Sequence, residues 1–258
     1  MPVVGAEFDR FGGLTTCYEV VLDRGRRLIV DLGTGIHHLA PLIDPQLDRE
    51  FDVFFTHFHW DHTHGIPFFR PLYNPGANIR FHGRPADGRG TEEMVSRLME
   101  PPWFPVPFAD TPSRKEFVDL ADQTIAVADI EVRNVQLYLP SGVTAYRFEK
   151  DERSIVLATD VEPAPWSDET LIDFAKGADV LIHDGQYLPE EYRTEKVGWG
   201  HSTWQYAVGI AEAAGVGRLI LTSHDPYRTD EGVEAIVDSA SAHISTKGAS
   251  IGLTIEVP

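Results

Sequence analysis

Between His57 and His64 the chain carries four imidazoles and a carboxylate, in the run Thr56-His57-Phe58-His59-Trp60-Asp61-His62-Thr63-His64-Gly65. Imidazole nitrogen and carboxylate oxygen are the donors that Zn²⁺, Mn²⁺ and iron take, so this density of ligands points to metal chemistry. The apolar run Phe51 to Phe55 comes just before it and reads as a β-strand. A strand ending at Thr56 releases His57 and His59 with side chains on one side, because alternate residues of an extended chain share a face. Asp61 and His62 then fall on the turn beyond. That arrangement offers two ligands to one ion and two to a neighbour.

Other chemistry-bearing residues also follow apolar runs: Ala158-Thr159-Asp160, Leu181-Ile182-His183-Asp184, Gly200-His201-Ser202-Thr203 and Leu221-Thr222-Ser223-His224-Asp225. Sites in α/β folds gather past strand ends. With Gly12 to Val20 and the turn Asp31-Leu32-Gly33-Thr34-Gly35, these segments and the His-x-His-x-Asp-His run resemble the metallo-β-lactamase superfamily over nearly the whole chain. The resemblance implies an α/β fold, a four-layer αββα sandwich, with one or two divalent metal ions at the sheet edge. It assigns His57 and His59 to the first ion, Asp61, His62 and His224 to the second, and Asp160 as the carboxylate bridging both. Asp160 and His224 each follow an apolar strand, where a charge or imidazole without a partner would be costly. Zinc heads the list of metals, with manganese and iron also served by these donors.

One ligand of that family is missing. Relatives place a His-Pro pair before a Gly-Tyr-Arg strand, whereas the matching stretch here runs Tyr138-Leu139-Pro140-Ser141-Gly142-Val143-Thr144-Ala145-Tyr146-Arg147. Leu139 cannot bind metal. The outcomes open at this point are a two-metal site with a labile first ion, a one-metal site, or a fold kept without the ancestral reaction.

Asp184 and His201 resemble the acidic residue and the His-Ser-Thr of ribonuclease Z and related phosphodiesterases, and form a pair outside the main ligand set. A carboxylate that orients an imidazole lets it give a proton to a departing alkoxide. Phosphodiester hydrolysis needs that proton more than lactam or thioester cleavage does. The resemblance therefore implies a metal-dependent hydrolase of a small phosphodiester, such as a cyclic nucleotide, with a metal-activated water, Asp61 orienting it and His201, steadied by Asp184, as acid. Two rival readings use the same fold: a metal-bearing or metal-depleted sensor or binding protein, which Leu139 favours, and a di-iron redox or oxygen-binding protein. Lactonase or thioester hydrolysis shares the first motif.

Composition limits the partners. Forty acidic against 22 basic residues give a formal charge of −18, which repels phosphate backbones. The densest basic run, Arg24-Gly25-Arg26-Arg27, fits a hairpin turn. The expected substrate is thus a small anion, with no long nucleic acid and no transfer RNA processing. No apolar stretch approaches the roughly 20 residues of a membrane helix. The N-terminus shows no basic region followed by an apolar one, and the single Cys17 forbids an internal disulfide, so a cytoplasmic protein of one domain over residues 1–258 is expected.

The elements that must position these residues are legible in part. Thr15 to Leu22 and Arg27 to Asp31 read as strands joined by Asp23-Arg24-Gly25. Gly33-Thr34-Gly35 lacks the third glycine of a dinucleotide loop and reads as a turn that lets backbone approach the metal loop. Further strands are expected over Asn78 to Phe81, Thr124 to Leu139, Val143 to Phe148, Ser154 to Ala158, Val180 to Ile182 and Arg218 to Thr222. Helices are expected over Thr91 to Met99, Ser167 to Lys176 with Ser167 as cap and Glu169 in its first turn, Ser202 to Ala214 with Ser202 or Thr203 as cap, and Asp230 to His243. The proline-rich stretch Glu100 to Phe108 excludes helix or central strand, and suits a pocket wall, a loop closing the core, or apolar surface for a homodimer. His37, His38, His64, His82, His183 and His243 read as structural or surface histidines, and Cys17 as a core residue.

Overall fold

A computed structural model describes residues 2–21 and 26–257. The Asp23-Arg24-Gly25 turn lies outside the described residues. The chain divides into two compact units, Leu14–Ala121 and a second made of Pro2–Gly13 with Asp122–Pro258.

The first unit is a five-stranded sheet ordered β1 (Tyr18–Val21), β2 (Arg26–Val30), β3 (Glu50–Phe54), β4 (Asn78–Gly83) and β5 (Arg114–Asp119). β1 and β2 are antiparallel, and the other neighbours are parallel. β3 is buried from Phe51 onward because a parallel strand inside a sheet is covered on both faces. Phe51, Val53 and Phe55 enter one core with Ile29, Phe69, Phe81 and Phe108. The alternate residues run the other way: Asp52 is fully buried, pairs in charge with Arg26 and accepts from Arg80 and the His82 Nε2, and His82 stacks on Phe54 at 4.3 Å. His82 is therefore a packed residue of β4, which extends two residues beyond its expected end. Helices are short here: α1 (Ile36–Leu39), α2 (Trp60–Thr63) and α3 (Thr91–Ser96). The proline-rich loop closes the core through Phe108 and leaves Trp103 exposed.

The second unit is a seven-stranded sheet ordered β12 (Thr246–Gly248), β11 (Arg218–Thr222), β10 (Val180–Asp184), β9 (Arg153–Ala158), β8 (Val143–Lys150), β7 (Ile130–Leu137) and β6 (Thr124–Val127). β9 to β12 are parallel, and β6 to β9 antiparallel. The single strand expected over Thr124 to Leu139 is a hairpin, turned at Ala128 with φ 54°. Helices α4 (Pro165–Ala175), α5 (Pro189–Glu191), α6 (Trp204–Ala214) and α7 (Asp230–Ser241) complete the unit. Leu181, Leu219, Leu221, Val156 and Ala158 pack against Leu171, Ala207, Ala211 and Ile236 of α4, α6 and α7.

The start of α4 departs from expectation. Ser167 does not cap α4: the helix begins at Pro165, whose fixed φ suits a first turn, and Ser167 lies buried inside it, accepting from the Tyr138 N–H at 3.0 Å. Asp168, rather than Glu169, reaches back to the Ala164 N–H at 3.0 Å. α6 follows the rule, with the Thr203 hydroxyl accepting from the Tyr206 N–H and Gly215 ending the helix at φ 66°. Among the described residues no helix is long and apolar enough to cross a membrane.

His183 is fully buried on β10, with its Nδ1 2.7 Å from the Asp184 carbonyl oxygen, and burial lowers its pKa below the ordinary 6.5. An unfolded chain takes up a proton at this residue as pH falls through 6.5, while the folded chain resists until lower pH. The stability it contributes is full above that value and declines as pH falls from there toward the folded pKa. Urea unfolding between about pH 8 and 5 should show this decline, with a shallower slope for His183→Gln.

Candidate metal centre

In the first unit the ligand-rich run begins where β3 ends, and its backbone is tied to the turn after β2. The Leu32 N–H donates to the His62 carbonyl at 2.8 Å, and the Gly65 N–H to the Leu32 carbonyl at 2.7 Å. A Cβ at Gly33 would sit 2.3 Å from the Asp61 oxygen, and one at Gly65 2.2 Å from the Gly33 oxygen. The glycines of this turn therefore serve close backbone approach, as expected from the sequence.

That contact brings Asp31 beneath the histidines. Asp31 is fully buried and left-handed, at φ 61°. Its carboxylate accepts from the Thr56 N–H at 2.9 Å, the Thr56 hydroxyl at 2.8 Å and the His62 Nδ1 at 2.7 Å. With its proton given to Asp31, the Thr56 oxygen can accept from the His57 Nδ1, 3.0 Å away. Both rings thus have Nδ1 held by one carboxylate, directly or through a hydroxyl. Nε2 is then the nitrogen that carries the lone pair, the arrangement that sets tautomer and direction in metal-binding histidines. Burial pushes the Asp31 carboxyl upward, and His62 and Thr56 oppose that shift.

The imidazoles of His57, His59 and His62 are gathered. His57 lies 4.3 Å from His59 and 4.2 Å from His62 between ring centroids. Asp61 places Oδ2 3.6 Å from the His62 Nε2. His64 is turned away, exposed and stacked on Trp60 at 5.4 Å, and His37 and His38 are exposed on α1. The donor set of this unit fits a divalent ion: neutral imidazoles with fixed tautomers, a nearby carboxylate and a buried carboxylate behind them.

In the second unit the residues follow the ends of the parallel strands β9, β10 and β11. Ligand atoms of Asp160, Asp184 and His201 all lie within 4.8 Å of one another. Asp184 is fully buried and accepts from the His201 Nδ1 at 2.5 Å, the Ser202 N–H at 3.0 Å and the Gln186 N–H at 3.2 Å. Asp160, left-handed at φ 56°, accepts from the Ser223 hydroxyl at 3.1 Å, and Ser223 is itself left-handed at φ 55°. His224 does not join this triplet. Its Nε2 lies 3.1 Å from the Ala249 carbonyl oxygen, its ring meets Phe11 edge-on at 5.6 Å, and burial lowers its pKa to about 4. With Nε2–H donating to Ala249, a lone pair is left on Nδ1, so the ring is neutral and able to ligate. Leu139 is buried in the core of this unit, against Gly200.

The profile of the Beta-lactamase superfamily domain matches residues 26–224. The chain belongs to this superfamily. Ribonuclease Z of Myxococcus xanthus (strain DK1622) is 27% identical over 253 aligned positions, covering 80% of each chain. Among solved structures, the metallo-β-lactamase fold protein YhfI of Bacillus subtilis has a TM-score of 0.73 at 19% identity, covering 95% of this chain and 92% of its own. Human tRNase Z, short form, has a TM-score of 0.69 at 18% identity, covering 98% and 96%. The two sheets and their helices are those of the metallo-β-lactamase fold. The relatives of this superfamily member include RNA-cleaving proteins by name, which runs against the expectation that long nucleic acids are excluded.

Asp31 carried no assigned role in the sequence, although it opens the Asp-x-Gly-x-Gly turn. The legible signal was a carboxylate just past an apolar strand, as at Asp160. Asp31→Asn should weaken metal retention by about 10- to 100-fold, measured by competition with a chelator.

Proposed function

We propose that the chain works as a single-domain, metal-dependent hydrolase of a small phosphodiester, with His57, His59, Asp61, His62, Asp160 and His224 as the residues that would hold one or two divalent ions. Zinc is the first choice for nitrogen-rich ligands of this kind. Bound there, the ions supply a nucleophile from water near neutral pH and offset charge on the phosphoryl oxygens. Asp61, half exposed beside His62, orients the attacking group.

The observation that carries this reading is the Asp184–His201 pair. Asp184 holds Nδ1 of the imidazole, so the proton to be delivered sits on Nε2 of the charged ring. A buried carboxylate with donors from Ser202 and Gln186 cannot turn away, and it favours the charged imidazole that must exist before transfer. A departing alkoxide, a poor leaving group, takes that proton as the P–O bond breaks. The ribonuclease Z relatives support phosphodiester cleavage as the reaction class.

The same relatives favour a second reading, cleavage of RNA. The charge of −18 opposes it, since an acidic surface repels a polyanion and draws no help from counterion release. A small diester meets far less of that field, and a cytoplasmic role among nucleotides fits it.

His59→Ala should abolish turnover of a cyclic nucleotide with loss of metal, whereas His201→Ala should lower it about 10²- to 10⁴-fold with metal retained. Equal metal loss in both variants would sink the division of roles. Cyclic nucleotides run beside a 3′-extended transfer RNA precursor separate the two readings, with faster turnover of the small diesters expected.

A further inference from the structure

The loop that leads into His201 is built around a second buried carboxylate. Glu162 is 2% exposed, two residues after Asp160, and accepts from the Gly198 N–H, from the Gly200 N–H at 3.0 Å and from the Tyr192 hydroxyl at 3.0 Å. Gly198 and Gly200 are left-handed, at φ 84° and 85°, and a Cβ at Gly200 would lie 2.3 Å from Leu139 Cδ1. Both places are left-handed and favour glycine, a side chain at Gly200 is further excluded by Leu139, and the turn is held from beneath by Glu162 and Leu139. Its central residue, Trp199, is driven outward and remains 62% exposed.

Nothing in packing asks for an indole there. Lys196 places its ammonium 3.9 Å from the Trp199 ring centroid and 5.9 Å from that of Tyr187. Tyr187 in turn meets His201 edge-on, at 5.9 Å. Trp199, Lys196, Tyr187 and His201 thus form one contiguous run: an exposed flat ring, a cation in a strongly acidic chain, and then the group that protonates the leaving oxygen.

We propose that Trp199 and Lys196 form the leaving-group subsite, in which the indole stacks a nucleobase and the ammonium attracts phosphate charge. The inference rests on the reading of His201 as the acid. The leaving group must extend from the oxygen that His201 protonates, and Trp199 stands two residues before His201 in the same turn, with Lys196 packed over both the indole and the buried Tyr187 ring that meets His201. Indole stacking with a base is sequence-tolerant and strengthened by a neighbouring cation. The substrate class is then a phosphodiester whose departing alcohol is a nucleoside.

The test compares adenylyl-adenosine, whose leaving group is a nucleoside, with the methyl ester of AMP followed only through the cleavage that yields AMP and methanol, since breaking its other P–O bond would release adenosine. In Trp199→Ala the ratio of kcat/KM for the first over the second should fall about 5- to 100-fold, and Trp199→Phe should restore most of it. A ratio within about two-fold of the original, in a protein that turns over both diesters, overturns the subsite and leaves the hydrolase standing. If neither diester is cleaved, titration of the intact protein with AMP decides. Heat of binding measured by calorimetry, with binding lost in Trp199→Ala and kept in Trp199→Phe, supports the subsite without the reaction. AMP that fails to bind, or binds Trp199→Ala equally well, overturns it.

Discussion

A carboxylate taken out of water must be surrounded by donors, and this chain uses that requirement to immobilise imidazoles. Asp31 in the first unit and Asp184 in the second are both fully buried, and each holds a histidine Nδ1, at 2.7 and 2.5 Å. Removing any of their donors would leave an uncompensated charge in a low-dielectric interior, so the geometry is enforced by the cost of breaking it. The result differs with the neighbours. Beside His57 and His59, a fixed ring with its lone pair outward is suited to a metal, whereas at the start of the loop into α6 it is suited to proton delivery.

Much of this was legible because it rests on short-range pattern. The β3 run predicted a strand opening into the histidines, and β11 was bounded correctly by its apolar content from Arg218 to Thr222. A cap at Ser202 or Thr203 and the Gly33 turn could be read from residue type, and the structure gives the cap to Thr203. What escaped depended on contacts between distant segments. β5 has no strong alternation and takes its place by pairing with β4 across 36 positions, Asn78 with Arg114. Glu162 looks like one surface acid among many until the Gly198–Gly200 turn closes on it. Ser167 has the chemistry of a cap, yet the preceding proline moved the helix start and left its hydroxyl to serve the Tyr138 N–H.

Leu139 stands where the sequence resemblance leads one to expect a metal-binding histidine. It is 6% exposed, and a Cβ at Gly200 would lie 2.3 Å from its Cδ1. An apolar side chain there packs beneath the turn before His201 and offers no nitrogen.

Asp31, Asp160 and Ser223 each follow a central strand and each adopt a left-handed backbone that L-residues with side chains enter at a cost of about 1 kcal/mol or more. Glycine would relieve that strain, but at Asp31 it would also take the carboxylate away from the buried Thr56 N–H and His62 Nδ1, and a buried donor left without its acceptor costs about 1–3 kcal/mol. Heat resistance and the strand-end carboxylate are therefore coupled at Asp31: the residue that strains the backbone is the one that the neighbouring donors require.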